Sequence, residues 1–162
     1  MAWTVKVTFA CIVFLFAWLG QEHAQLYDTT RVVLKSAANK AGHDALMAID
    51  YAQMRKGYIV FDKAQARAVF EQSLRRNLGL DASLNPNSKS AVKSKVVVTK
   101  FELLDDSTHS FPFDYSDSDH RLFKRLRGPA VVAVIEVDSP KVGPFESQKV
   151  RASVIAEYTS HR

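Results

Sequence analysis

An uncharged apolar run close to the first residue constrains this chain more than any other feature. Residues 7–20 read VTFACIVFLFAWLG, and Lys6 is the only charged residue before them. A helix needs about 20 apolar residues to span a bilayer, with a range near 17–25. Trp3 and Trp18 stand near the two ends, where indole rings favour the headgroup zone, and Lys6 can reach that zone with its long side chain. The run predicts a transmembrane anchor over residues 1–20 that contacts membrane lipid.

A cleaved signal peptide has the same basic start and apolar run, so two interpretations compete. Signal cleavage needs small residues at the −3 and −1 positions of the cut. A cut after Gly20 places Trp18 at −3, and a cut after Ala24 places Glu22 there. The sequence therefore favours an uncleaved anchor, followed by a cleaved signal and then by a buried helix of a soluble protein.

Charge on either side of the run predicts its orientation. Lys6 precedes the run, whereas Glu22 and Asp28 follow it. By the positive-inside rule, the N-terminus lies in the cytoplasm and residues 21–162 lie outside it. The expected localisation is a single-pass cell membrane protein with an extracytoplasmic C-terminal domain.

The stretch after the run favours a long alanine-rich helix over residues 21–56. It contains no proline, and Gly42 is its only glycine. Gly57 follows the basic Arg55 and Lys56, a pattern typical of a helix C-terminus. The anchor and this helix are expected to form one continuous rod. Alanines recur along it every three or four residues and form one stripe; they are Ala38, Ala41, Ala45, Ala48 and Ala52.

A stripe of alanines permits another backbone to approach closely. One interpretation is helix packing between copies of the chain. The other is packing against the chain's own sheet, because a sheet needs a covering layer. The first is favoured over residues 21–40 and the second over residues 45–56. We therefore predict self-association through Ala38, Ala41, Ala45 and Ala48.

The remaining residues predict a second helix and then a sheet. Asp62 is a good N-cap for a helix over Lys63–Leu78, and Gly79 is a typical glycine at its C-terminal end. Residues 91–104, 130–138 and 148–158 carry the alternation and the β-branched side chains of strands. The last two strands are expected to pair as an antiparallel hairpin.

The expected fold class is α+β. An N-terminal transmembrane helix continues into a long helix, a second helix follows, and a small antiparallel sheet of three to four strands completes the chain. This divides the chain into an anchor at 1–20, the long helix at 21–56, and an extracytoplasmic α+β head at 57–162.

The sequence holds no recognisable catalytic constellation. Its five histidines lack the spacing of a helical zinc site, its six glycines form no phosphate-binding loop, and its single cysteine excludes a disulfide framework. Lysines and arginines number 22 against 17 aspartates and glutamates, a mild excess that does not indicate nucleic-acid binding. We therefore predict a protein that is not an enzyme, with no catalytic residue, metal site, cofactor or nucleic-acid partner.

Two neighbouring segments of opposite charge are candidates for contact with a partner. Residues 105–119 hold five aspartates and no lysine or arginine, and are expected to form a solvated loop. Aromatic residues inside such a loop either fold back on the domain or dock on a partner. Residues 121–127 carry four basic side chains, three of which share a helical face. The candidate contact residues are Phe111, Phe113, Tyr115, Arg121, Lys124 and Arg125.

Four segments carry a family resemblance. They are KSAANKAGHDA at 35–45, GYIVFD at 57–62, ARAVFEQSL at 66–74 and NLGL at 77–80. With the anchor before them, they resemble TadE-like pilus-assembly proteins, the minor pilin-like components of Tad-type pilus and secretion systems. The resemblance implies a non-catalytic structural or assembly component of a bacterial surface pilus or secretion apparatus, with other subunits of that apparatus as partners.

One departure from pilins bears on this role. Pilin-like precursors carry a glutamate at the fifth position after their processing site, and the apolar run of this chain has none. The departure favours a membrane-anchored accessory protein over a processed filament subunit. Two alternatives stay open. One is an anchored subunit of a conjugation or type IV secretion channel, similar to VirB8-like proteins. The other is a secreted binding domain released by signal cleavage.

Overall fold

The computed structural model describes residues 2–158, which form three helices and five strands. In chain order these are α1 Ala2–Ala45, α2 Tyr51–Met54, α3 Lys63–Leu78, β1 Val97–Leu104, β2 Phe113–Asp117, β3 Leu122–Leu126, β4 Ala130–Asp138 and β5 Lys149–Glu157. The predicted α+β class is confirmed, with a long apolar N-terminal helix, further helices, and antiparallel sheets of three and two strands.

Helix α1 joins the apolar run to the alanine stripe without a break, as predicted. It contains 44 residues and is therefore about 66 Å long at 1.5 Å per residue. It ends at Ala45, however, so the predicted helix over residues 21–56 is too long.

The chain leaves α1 early because the residues after it pair with the segment before α3. Ile49 and Phe61 form an antiparallel bridge, and both side chains are buried in the main core. The Asp50 carboxylate then accepts a hydrogen bond of 2.8 Å from the Ala52 N–H and begins the short helix α2. Burial of two large side chains outweighs the good helix propensity of this stretch.

Helix α3 begins and ends where the sequence predicts. The Asp62 carboxylate accepts a hydrogen bond of 2.9 Å from the Gln65 N–H, which satisfies a backbone donor of the first turn. Gly79 ends the helix in the left-handed conformation, with φ of 68°, a backbone geometry that glycine adopts without a Cβ clash.

Three strands form the main sheet in the order β1–β4–β5, and every pair is antiparallel. The predicted β4–β5 hairpin is present, with Ala130 opposite Glu157 and Asp138 opposite Lys149. Strand β4 lies in the centre and is buried along almost its whole length, which explains its unbroken apolar sequence AVVAVIEVD.

One face of this sheet packs against α1 and α3 and forms the main core. The helix lies close to the sheet at Gly42, where an added Cβ would lie 3.0 Å from Cγ2 of Val154 and 3.3 Å from Cβ of Ala156. Small residues on α1 therefore set the spacing between helix and sheet.

The alanine stripe lies inside this core. Ala38, Ala41 and Ala45 are fully buried, because α1 packs there against β5 and α3. Ala48 is almost fully buried, but it lies beyond the end of α1. Ala52 does not belong to the stripe, since it is exposed on α2. The prediction of self-association through these alanines is wrong in this fold, and packing against the chain's own sheet is the correct interpretation. Self-association through another surface stays a prediction.

The hairpin of β2 and β3 covers part of the opposite face of the sheet. Tyr115 and Leu126 of the hairpin are buried in a second cluster with residues of β1 and β4. The segment predicted as a solvated loop thus contains a strand. The basic segment forms a turn and a strand instead of a helix, because alternation buries Leu126 against the sheet.

Candidate functional site

The first part of α1 is apolar and exposed all round. We call residues 3–19 the apolar segment. The head predicted over residues 57–162 shares its core with the second part of α1, so from here on the head means residues 20–158. Every residue of the segment from Trp3 to Trp18 is exposed, including Trp3 at 75% and Phe9 at 67%. A contiguous apolar surface of this size is rare on a protein in water. Among the residues that the structure describes, this is the one helix long and apolar enough to cross a membrane, a property that anchors share with signal sequences.

The three predicted interfacial residues lie on the exposed surface of this segment. Trp3 and Trp18 are separated by about 22 Å along the axis at 1.5 Å per residue. The whole segment spans about 25 Å, a little less than the 30 Å or so of hydrocarbon in a bilayer. Lys6 lies about one turn inside Trp3, so in a bilayer its ammonium group would have to extend outwards to reach water. At the other end, Nε1 of Trp18 donates a hydrogen bond of 3.4 Å to Oε1 of Glu22.

The β4–β5 loop, residues 139–148, lies beside α1 where the apolar segment ends. Its Gly143 faces Leu19, since an added Cβ would lie 3.4 Å from Cδ1 of that leucine. Its Phe145 stacks on the imidazole of His23, with 5.4 Å between the ring centroids and an interplanar angle of 26°. The helix is therefore braced within one turn of its last apolar residue.

Two aspartates after β1 hold the segment that leads into α3. Asp105 is 1% exposed and accepts hydrogen bonds from the Phe61 N–H at 3.1 Å and from Oγ of Ser107 at 2.5 Å. Asp106 accepts one of 2.7 Å from the Ile59 N–H. Burial opposes the charge of Asp105, but hydrogen bonds from Ser107, Phe61 and Thr108 outweigh it, and the pKa of Asp105 falls below its ordinary value.

A cluster of charged side chains fastens the β2–β3 hairpin to β1. Nζ of Lys100 lies 2.6 Å from Oδ2 of Asp117 and 3.2 Å from Oε2 of Glu102. Nδ1 of His120 lies 2.8 Å from the same Asp117 oxygen, and the Tyr115 hydroxyl donates to Glu102 at 2.9 Å.

The charges of this cluster favour a structural role, in which ion pairs hold the β2–β3 hairpin against β1. The hydrogen bond from Lys100 holds the pKa of Asp117 well below its ordinary value. Burial opposes the charge of Lys100, but its bonds to Asp117, Tyr115 and Glu102 raise the pKa of this lysine. A lysine held as ammonium does not act as a base at neutral pH. Within residues 2–158, no group of three or more His, Cys, Asp or Glu side chains is arranged to hold a metal ion.

The predicted partner residues divide into inward and outward sets. Phe111 and Phe113 are half-buried and pack against the second cluster, and Tyr115 is a buried member of it. These three aromatics fold back on the domain, so their role as partner contacts is not supported. Lys124 is turned towards Glu157, at 3.3 Å.

The outward set contains a residue that the sequence did not single out. Arg121 and Arg125 are exposed, and Phe123 between them is 70% exposed. Phe123 and Arg125 alternate with buried Leu126, so they share the solvent face of β3. Helical spacing groups Phe123 with Leu126, so the sequence analysis did not identify this shared face. The strand period of two places Phe123 and Arg125 on the same side.

Comparison of the chain with protein-family models, with curated proteins and with solved structures found no significant match.

Proposed function

We propose that this chain is a membrane-anchored, non-catalytic assembly component of a bacterial surface pilus or secretion apparatus. The observation that carries the proposal is the continuity of α1. Its first part is exposed and apolar, and its second part forms the core of the head.

This continuity supports a role in assembly more than a role as a simple tether. A simple tether needs only a flexible linker, because it has only to keep its domain near the membrane. Here α1 is helical through the end of the apolar segment, and the β4–β5 loop packs against it at Leu19 and His23. The position of the head is therefore tied to the position of the anchor, as the placement of subunits in an apparatus requires.

The assignment to a pilus or secretion apparatus comes from the sequence resemblance. Its segments fall in the core-forming part of α1, in the link before α3 and in α3 itself. The orientation in the proposal comes from Lys6 before the apolar segment and Glu22 after it, which favour a cytoplasmic N-terminus and an extracytoplasmic head.

The surface proposed to contact other subunits is the solvent face of the β2–β3 hairpin. Phe123 is a large exposed apolar side chain with two arginines beside it, and aromatic residues and arginine are enriched in protein interfaces. Arg121 supplies positive charge for an acidic partner surface, whereas Nε of Arg125 lies 3.9 Å from Oδ1 of Asp114 in an exposed pair.

Fractionation of the native cells tests the anchored state. The intact mass of the protein is measured in membrane, sheared-surface and medium fractions. The proposal expects the full-length mass in the membrane fraction. A chain shortened by about 2 kDa and found in the medium would show signal cleavage and contradict the proposal.

Photocrosslinking tests the assembly role. A benzophenone amino acid replaces Phe123, and a matched variant carries it at Tyr51, which is also 70% exposed. The proposal expects crosslinks from position 123, and not from position 51, to another subunit of a filament or secretion apparatus. Equal labelling from both positions would mean that this face has no specific partner. Crosslinks confined to subunits of a conjugation or type IV secretion channel would replace the proposal with the VirB8-like alternative.

A further inference from the structure

The β4–β5 loop is an ordered turn with an apolar tip. Its ends are closed by hydrogen bonds of 2.8 Å from the Ser139 N–H to the Gln148 carbonyl and 2.9 Å from the Gln148 N–H to Oγ of Ser139. At the tip, the Phe145 N–H donates to the Val142 carbonyl at 3.0 Å, and Gly143 adopts φ of 54°. Prolines at 140 and 144 restrict the backbone further. The loop thus holds its conformation without help from a partner.

The tip lies beside the point where α1 emerges from its apolar segment. Gly143 faces Leu19, the last apolar residue before Gly20, and the ring of Phe145 lies beside Gly20 and stacks on the imidazole of His23. Leu19 and His23 are separated by about 6 Å along the helix axis. A headgroup layer is about 5–8 Å thick, given about 40–45 Å for the whole bilayer and about 30 Å for its hydrocarbon core. The contacts of the tip therefore cover the depth of one headgroup layer.

The free side of the tip has the chemistry of an interfacial segment. Gly143 and Pro144 are exposed, and Val142 is half-buried. Lys141 and Glu146 flank them as an exposed ion pair with 2.6 Å between Nζ and Oε2. An exposed pair of this kind contributes little to folding, but it places charged groups where headgroups and water meet. Apolar and aromatic side chains at that level are favoured by the interfacial zone.

We infer that the tip of the β4–β5 loop, residues 142–145, rests in the headgroup layer of the membrane that α1 crosses. The inference depends on the anchor proposed above and adds a second contact with the lipid. A surface held within one helical turn of the last apolar residue lies in lipid headgroups whenever the apolar segment lies in hydrocarbon. With α1 alone in the bilayer the whole molecule can tilt, whereas a second contact on one side of the helix restrains that tilt.

Depth-dependent fluorescence quenching tests the inference on the full chain in phosphatidylcholine–phosphatidylglycerol vesicles. Cys11 is the only cysteine, so a Cys11→Ala background accepts Pro144→Cys, labelled with an environment-sensitive fluorophore. Lys141→Cys is a second variant that keeps both prolines. Lys56→Cys is the matched control, because it is exposed and lies past the far end of α1. We expect lipid spin-labelled near its headgroup to reduce emission at least about twofold at 144 and 141, and not at 56, because interfacial groups sit within about 5–10 Å of the boundary.

A label on the native Cys11 reports the anchor separately, through quenching by lipid that is spin-labelled deep in its acyl chain. Quenching at Cys11, with 144 and 141 behaving like 56, would overturn the loop contact and leave the anchor intact. Absence of quenching at Cys11 would overturn the anchor and, with it, the loop contact.

Discussion

Single carboxylates and single alanines decide the local structure of this chain. Asp50 and Asp62 begin helices, and Asp105 holds the backbone of the segment between them. The aspartates that the sequence placed in a solvated acidic loop are therefore used in part inside the fold. The alanines contribute through their small size, because Ala41 and its neighbours let α1 pack closely against the side chains of β5.

Replacement of Ala41 by leucine is expected to destabilise the head. Ala41 is fully buried, and extra methylene groups in a packed core cost about 1–3 kcal/mol. The matched control is Ala52→Leu, on an exposed site of α2, which is expected to change stability by less than about 0.5 kcal/mol. Urea unfolding of the detergent-solubilised full chain measures both. Equal stability of the two variants would contradict burial of the stripe.

Asp105 predicts a loss of stability in acid. Its pKa is lower in the folded chain than its ordinary value, so the unfolded chain binds the proton more tightly. The contribution to stability is complete above the unfolded pKa of about 3.9, and it is lost as the pH falls through the folded pKa. Asp105→Asn should therefore lower the free energy of unfolding most at about pH 7, and the difference from the parent chain should shrink towards about pH 3. Parallel pH profiles for the two chains would refute this assignment.

Among the secondary-structure elements, the β2–β3 hairpin is held to the main sheet by ion pairs as well as by apolar contacts. It covers one face of the main sheet through a small cluster of apolar residues, and Lys100 joins β1 to Asp117 at its end. Glu157 of β5 supplies a second fastening, because it accepts hydrogen bonds from the N–H groups of Arg127 and Gly128 and lies near Lys124.

Lys100→Met is expected to loosen this hairpin selectively. The methionine keeps much of the aliphatic volume and removes the cation from the nearly buried Asp117, leaving that carboxylate without its main partner. Amide hydrogen exchange should speed up at least about tenfold in β2 and β3 and stay slow in β4. Arg151→Met is the control, because it breaks a pair with Glu136 on the main sheet. Faster exchange in β4 from Lys100→Met would mean that the hairpin does not open as a unit.

Local signals in the sequence predicted those elements whose limits are set locally. The capping residues Asp62 and Gly79 gave both ends of α3, and alternation gave β4 and β5. The end of α1 could not be read in this way, because it depends on Ile49 meeting Phe61 across the intervening chain. The burial of the alanine stripe likewise depends on β5. Because this strand is distant in the sequence, no local pattern predicts which residues of α1 it covers.

At the scale of the whole molecule, one helix carries both the apolar segment and the core of the head. The predicted boundary between residues 56 and 57 therefore divides the main core, since the second part of α1 packs against α3 and β5. The brace by the β4–β5 loop makes the helix stiff where a linker would be flexible, and this stiffness itself can be tested.

A hinge in α1 is expected to abolish assembly without releasing the anchor. Gln21→Gly with Glu22→Gly lowers helix stability by about 1 kcal/mol per glycine in the turn after the apolar segment. The same two positions changed to alanine provide the control, since that variant also loses the bond from Trp18 to Glu22. Both variants should stay in the membrane fraction with a folded head, and only the glycine variant should lose the crosslinks from position 123. Retention of those crosslinks would show that rigid coupling is unnecessary.

The contact between α1 and β5 also orders the events of biogenesis. Nζ of Lys35 donates to the carbonyl of Ser153, a residue 118 positions later, and Gly42 meets Val154. Helix α1 is thus covered only when β5, the last of the described strands, packs against it. Contacts between residues so far apart in the sequence raise the contact order of the fold. In the orientation proposed above, a translocation channel would have to deliver the chain through β5 before the core could close. Until then the alanine face of α1 would lack the cover of β5, and a chaperone that binds exposed apolar surface would recognise it.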